Sequence, residues 1–398
     1  MKIAFITETF LPKVDGVVTR LTHTIRNLHA MGHRTIIVAP ERGCSEFDGA
    51  KVIGAPAVSL PMYPDFKLGF PSMKISREVD DFDPDIVHLI NPFLLGYGGF
   101  QYARKRGIPF ITSYHLHITK YTEYYNLTFL DGMFWWFVRT VHREAKFDFC
   151  TSREMIKEFA NNGIEPLELW RRGVDVHLFD PASRTEEMRN RLTEGHTEDP
   201  LILYAGRIAA EKDIHMLRYI LERNPGVRAA IVGDGPIRDR IEAQFKGTST
   251  VFTGFLQGRE LAAAYASADL FIFPSQTETL GLVALEAMAS GTPVIAANAG
   301  GVRDLIEDGV NGYLYEPGSI DDLVDKTMAL LDDPRRLEAL SESAYGNAQQ
   351  WSWEKATEDL LEYYYRAAGI ERAAGIERAN LAEETAGAEE DAGQDNPA

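Results

Sequence analysis

The sequence predicts an α/β chain of two parallel-sheet domains, and three observations predict it. Both halves alternate short apolar runs with longer stretches of helical composition. The chain has 398 residues, 45% of them hydrophobic, which suits two or three domains at about 150 residues each. A polar stretch, 181–200, interrupts the alternation near the middle.

In order, the first half carries strand-like runs at 2–6, 35–39, 86–90 and 110–113, and the second at 201–205, 229–232, 270–273 and 293–296. Runs that are apolar throughout suit strands buried on both faces of a parallel sheet. The segment 181–200, with Pro181 and Thr197-Glu198-Asp199, is read as the connection between a domain at 1–180 and one at 201–348. The end differs in kind: Ala-Ala-Gly-Ile-Glu-Arg occurs twice in succession from Ala367, too short a repeat for a solenoid. From Leu381 onward there are six acids and no Lys or Arg, so 367–398 is read as a disordered acidic tail.

Composition bounds the function. The net charge is −18, and the tail carries six of those charges, which leaves an acidic body and argues against nucleic acid as a partner. Cys44 and Cys150 have no metal spacing and are read as buried or incidental thiols. The apolar opening, 3–6, turns polar at Thr7-Glu8-Thr9, so no signal peptide is expected, and no apolar run reaches the roughly 18 residues of a membrane span. A cytoplasmic protein follows, soluble or resting on the inner face of a membrane. The run 127–138, preceded by Tyr121, Tyr124 and Tyr125 and followed by Arg139, His142, Arg143 and Lys146, reads equally as an interfacial helix and as a helix buried against the first sheet.

Glu278 and Glu286 lie eight positions apart across a loop-to-helix junction, because 282–290 has helical composition. Both can face a ligand at that helix's N-terminus, where unpaired N–H groups favour a phosphate and each carboxylate can accept from a diol. By itself the pair also arises by chance in acidic helices. Gly206-Arg207 follows a strand-like run, with Glu211-Lys212 close behind; two cations beyond a strand end suit a diphosphate, or else form an exposed turn with a salt bridge. Gly233-Asp234-Gly235-Pro236 follows another strand, either as a plain βα turn or as one that lets backbone approach a ligand. Asp83-Pro84-Asp85 is spelled like a metal motif, but Pro84 and its place before a strand favour a turn.

In this order the motifs resemble those of the family 4 retaining glycosyltransferases of the GT-B fold, and the resemblance runs from Met1 to about Tyr365. It implies two Rossmann-like domains facing a cleft, with the segment 349–366 crossing back to the first. It implies a nucleotide-sugar donor whose diphosphate is bound by Arg207 and Lys212, with Glu286 on the ribose and Glu278 on the transferred sugar. Thr279, Leu280, Gly281 and Leu282 would offer backbone amides, and Gly233 and Gly235 would line the donor site. From the first domain, Gly16 would approach the diphosphate and His115 the sugar; His117 receives no role, and Arg172-Gly173-Val174-Asp175 matches a structural segment. No metal or cofactor is expected, since two cations and a helix N-terminus can neutralise the leaving diphosphate.

Within the family, the opening, the Ser113–His117 region and the segment around Arg172 are most similar to sulfoquinovosyl transferases. Those enzymes build a sulfolipid from UDP-sulfoquinovose and diacylglycerol. On that reading Lys13 or Arg20 would meet the sulfonate. The runner-up is a GDP-mannose-dependent α-mannosyltransferase acting on phosphatidylinositol or another lipid, and a third reading is a non-catalytic nucleotide-sugar sensor or an epimerase.

Overall fold

The computed structural model describes residues 1–13, 15–41, 43–60, 63–115, 131–278 and 280–371. Two sheets carry it. The first orders its strands Glu168–Leu169, Asp148–Cys150, Phe110–Tyr114, Ile86–Ile90, Lys2–Thr7, Arg34–Pro40, Ala50–Ala55 and Glu46–Phe47, all parallel except the last pair. The second orders Thr250–Gly254, Arg228–Val232, Leu201–Ala205, Leu270–Phe273, Val294–Ala297 and Tyr313–Tyr315, all parallel.

Each sheet is covered on both faces, which is why its central strands are continuously apolar. Along Lys2–Thr7, Ile3 and Phe5 point to one buried core and Ala4 and Ile6 to another. Leu201, Leu203 and Ala205 face one core of the second sheet while Ile202 and Tyr204 face the other. Fully burying one such aliphatic side chain stabilises by about 1.5–3 kcal/mol.

The helix Gly16–Ala30 starts where Asp15 accepts from the N–H groups of Val17 and Val18, each at 3.0 Å. The helix Trp353–Ala368, capped by Ser352 and closed by Gly369 in the left-handed region, returns to the first domain. Its Leu360, Leu361 and Tyr364 share a core with Ile3, Phe5 and Ile90. At its start Trp353 stacks on His23 with ring centroids 4.9 Å apart.

The segment read as a connection, 181–200, carries the helix Glu186–Thr193, whose Met188 and Leu192 lie in the second domain's core. Asp83 closes the helix Met73–Phe82 in a left-handed conformation and pairs with Lys2, and the Asp85 carboxylate accepts the Lys2 N–H, so both acids serve the turn. Cys44 is partly exposed and Cys150 buried, both as thiols. Of the aromatic run, 116–130 lies outside the described residues, with Tyr121, Tyr124, Tyr125 and His117. The helix Asp131–His142 packs one side against the first domain, with Trp135, Val138 and Val141 buried, while Met133 and Trp136 are 62% and 61% exposed. Its last residue is fixed to the sheet, His142 Nδ1 lying 2.8 Å from Asp148 Oδ2, a bond that raises the imidazole's pKa. Among the described residues no helix is long and apolar enough to cross a membrane.

Candidate active site

In the second sheet, Leu201–Ala205 lies between Arg228–Val232 and Leu270–Phe273, so the direction of winding reverses between the first and the last of these. Loops leaving such neighbouring strands diverge and open a crevice at their carboxyl ends. The loop after Leu201–Ala205 carries Gly206, Arg207 and, in a short 3-10 turn, Lys212; the loop after Leu270–Phe273 carries Glu278. The fold therefore brings the expected residues to one place from segments about seventy positions apart.

Lys212 Nζ lies 2.9 Å from Glu278 Oε2, both side chains about a fifth exposed at 18% and 22%. The other Glu278 oxygen accepts from the N–H groups of Leu280 at 3.3 Å and Gly281 at 3.5 Å. Burial alone would raise this carboxyl, but Lys212 and the two amides outweigh it and hold it below the usual range. The groups expected to grip separate parts of a donor thus lie in direct contact with one another. Gly281 takes φ +63°, the left-handed conformation that starts the helix Leu282–Ala289 without a side-chain cap. On that helix Glu286 accepts from the Tyr265 hydroxyl at 3.0 Å, and burial pushes its carboxyl up to about 7 against that bond. Arg207 is exposed at the crevice, and its carbonyl accepts from the Tyr204 hydroxyl. Thr279 lies outside the described residues.

Gly233 and Gly235 admit a close approach of backbone to backbone. A Cβ on Gly233, at φ +132°, would lie 2.0 Å from the Gly206 carbonyl oxygen, and one on Gly235 would lie 2.2 Å from that of Ile208. What they admit is the neighbouring loop's backbone, and the close packing fixes the wall that carries Arg207.

From the first domain, Gly16 abuts this loop: a Cβ there would meet Leu280 Cδ1 at 3.1 Å. Arg172 ties the lobes together, donating to the carbonyls of Leu280 and Gly301 on one side and to that of Thr151 on the other. His115 directly follows the strand Phe110–Tyr114, its backbone N–H donating to Asn91 Oδ1 at 2.7 Å. Its Nε2 lies 3.0 Å from Ser113 Oγ, which also lies 3.0 Å from His88 Nε2, and His88 Nδ1 lies 2.8 Å from the Tyr364 hydroxyl. Burial first, and then the charge of Arg20, keeps both imidazoles neutral, His88 pushed down to about 3 and His115 well below its ordinary value. Of the two cations proposed for a sulfonate, Lys13 is already paired with Asp15 at 2.9 Å, whereas Arg20 is 0% exposed and has no ion-pair partner among the described residues.

Sequence reasoning missed Tyr265, the Arg172 tie and the Ser113–His88–Tyr364 chain. Two signals were available. Ser113 and His115 are two apart and so share a strand face, and His88 stands alone among the apolar residues of Ile86–Ile90.

Two doubly wound lobes meeting across this crevice define the class: a glycosyltransferase of the GT-B fold. A family model for Glycosyltransferase Family 4 matches residues 14–214, and one for glycosyl transferases group 1 matches 185–347. The chain belongs to glycosyltransferase family 4 and is a hexosyltransferase. It is 38% identical over 363 residues, 89% of this chain and 71% of the relative, to sulfoquinovosyl transferase SQD2 of Arabidopsis thaliana. It is 34% identical over 375 residues, 93% of this chain and 97% of the relative, to a GDP-mannose-dependent alpha-mannosyltransferase of Mycobacterium tuberculosis. The crystal structure of Anabaena HepE with UDP has the same fold, with a TM-score of 0.73 and 21% identity over 91% of this chain and 99% of that one.

Proposed function

We propose that the chain moves sulfoquinovose from UDP-sulfoquinovose to diacylglycerol with retention at the anomeric carbon, giving a sulfolipid. The observation that carries the donor class is the Lys212–Glu278 pair at the switch-point crevice, beside Arg207 and within one helix of Glu286. On donor binding Lys212 and Arg207 take the diphosphate, Glu278 turns to the sugar hydroxyls and Glu286 to the ribose diol. The released amides of Leu280 and Gly281 then face the phosphate, and Gly16 and His115 close the site from the other lobe. The anomeric C–O bond to the diphosphate breaks as the acceptor oxygen bonds to the same face, and the acceptor's proton passes to the departing phosphate. Two cationic contacts at about 2 kcal/mol each supply roughly a thousandfold if they strengthen in the transition state, without a divalent ion.

The sulfonated donor is favoured by the 38% identity to the Arabidopsis sulfoquinovosyl transferase. The second reading, GDP-mannose to phosphatidylinositol or another lipid, is favoured by the 34% identity across nearly the whole mycobacterial mannosyltransferase. A lipid acceptor and a peripheral seat on an anionic membrane are supported by one apolar surface of the first domain. There Phe70, Met73, Leu94, Tyr97, Met133 and Trp136 are exposed, and ring contacts of Phe93 with Phe134 and Tyr97 with Phe137 join its parts. Exposed Lys74, Arg143 and Lys146 are cations suited to lipid phosphates.

Two measurements test this. Radiolabelled UDP-sulfoquinovose, UDP-glucose and GDP-mannose, offered with diacylglycerol vesicles and a chelator, should label lipid from the first alone; label from GDP-mannose moves the protein to the second reading. Calorimetry of UDP binding in two buffers of different ionisation enthalpy should show proton release near pH 7. Hydroxyls donating to Glu286 favour its charged form and lower a carboxyl that rests at about 7. Proton uptake, or none, would remove Glu286 from the ribose.

A further inference from the structure

We infer that Arg20 and His115 form a buried oxyanion site at the sugar end of the cleft, shaped for a sulfonate or phosphate group of a substrate. The inference rests on the proposed reading of this cleft as the donor site.

Arg20 is completely buried, and among the described residues none of its Nε, Nη1 and Nη2 atoms meets a hydrogen-bond acceptor. Its guanidinium lies over the Trp170 ring at 4.6 Å, a contact that engages the cation's face and leaves its N–H groups free. A buried cation with five unmet donors is a costly arrangement that an anion relieves. Arg20 is one helical turn from Gly16, on the same face of the helix, and Gly16 abuts the donor loop at Leu280. His115 approaches the same Trp170 ring edge-on, centroids 5.2 Å apart, so arginine and histidine flank one indole.

The hydrogen-bond chain behind His115 decides what its free nitrogen offers. Tyr364 is fully buried and has a hydroxyl proton to place, and the partner within reach is His88 Nδ1. If Tyr364 donates there, neutral His88 carries its proton on Nε2 and donates to Ser113 Oγ. Ser113 in turn donates to His115 Nε2, which leaves the His115 proton on Nδ1. That Nδ1 is buried and, among the described residues, without a partner. The unmet groups of the two side chains that flank Trp170 are then donors, which favours an oxyanion over a cation. Two sources supply that chemistry: a sulfonate on the donor sugar, or the phosphate of an anionic lipid acceptor.

The test uses the full chain and Arg20→Met, with Arg20→Lys as a variant that keeps the charge. Sodium sulfate stabilises folded chains in general, so it should raise the melting temperature of all three proteins above that in sodium chloride of equal ionic strength, most for the wild type, less for Arg20→Lys and least for Arg20→Met. A sulfate response missing from the wild type, or equal in wild type and Arg20→Met, overturns the site. Donor arms then assign the source. A fall of roughly a hundredfold in the ratio of kcat/KM for UDP-sulfoquinovose over UDP-glucose in Arg20→Met assigns the sulfonate. A loss confined to phosphatidylinositol vesicles with GDP-mannose, diacylglycerol vesicles being spared, assigns the acceptor phosphate. In that outcome the oxyanion site stands while the sulfoquinovose reading fails. Tyr364→Phe tests the positioning chain: nitrogen-15 spectra of labelled histidines should show His115 protonated on Nδ1 in the wild type and a mixture in the variant. Protonation on Nε2 in the wild type would remove His115 from the site.

Discussion

Lys212→Ala should lower kcat by roughly a hundredfold and move the acid limb of the pH–rate profile upward. The rate loss is one charge-assisted contact of about 2–3 kcal/mol to the departing diphosphate. The pH effect has a separate cause. Burial pushes the Glu278 carboxyl up, and Lys212, with the Leu280 and Gly281 amides, holds it down. Without the ammonium the burial effect is weakly opposed, so Glu278 takes up its proton at a higher pH and activity falls earlier on acidification. Stability carries the same sign. A depressed carboxyl stabilises above its unfolded pKa of about 4.3, and that contribution fades as pH falls through the lower folded value. The variant should therefore be less stable than the wild type at neutral pH and approach it in acid. Glu278→Gln should have no such limb at all; a limb that Lys212→Ala leaves in place would mean that another cation keeps Glu278 ionised.

Gly233→Ala should be the most damaging single methyl in the second domain. The added carbon would lie 2.0 Å from the Gly206 carbonyl oxygen and 3.0 Å from its carbon, atoms of backbone that cannot rotate away, and φ +132° is itself hostile to a side chain. Strain of this kind costs about 3 kcal/mol or more, which for a domain of this size lowers the melting temperature by roughly 6–12 °C. Because the displaced loop carries Arg207, nucleotide affinity should fall with stability. Gly247→Ala is the control: its φ is also positive, at +84°, but nothing lies within 4 Å of the added carbon, so it should lose only the conformational part. Equal losses in the two variants would show that crowding against Gly206 contributes nothing.

The fold was legible where burial on both faces leaves a continuous apolar run, as in Ile86–Ile90 and Leu201–Ala205. It was hidden where a strand is short or mixed: Glu46–Phe47 and Thr250–Gly254 carry too little apolar signal to separate from a loop. Glu186–Thr193 reads as a connection because its sequence is almost wholly polar, and only Met188 and Leu192 commit it to the core. In the site, residue types and order pointed to Arg207, Lys212, Glu278 and Glu286, but not to their mutual contacts. Lys212 and Glu278 are 66 positions apart, and nothing local says that they pair. Arg20 was legible as a cation in the segment after the first strand; its complete burial was not, since arginine is ordinarily a surface residue.

The returning helix has a consequence for how the chain is made. His88 and Tyr364, bonded across the first core, are 276 positions apart, and the whole second domain is synthesised between them. At about 5–20 residues per second, the first sheet waits on the order of tens of seconds on the ribosome for Leu360, Leu361 and Tyr364 to cover it. During that interval the second domain, whose cores at 174–348 are drawn from one contiguous stretch, can fold first. Completion would then run against the order of synthesis, with the half that emerges earliest sealed last and its apolar face open to chaperones or to a nearby bilayer in the meantime.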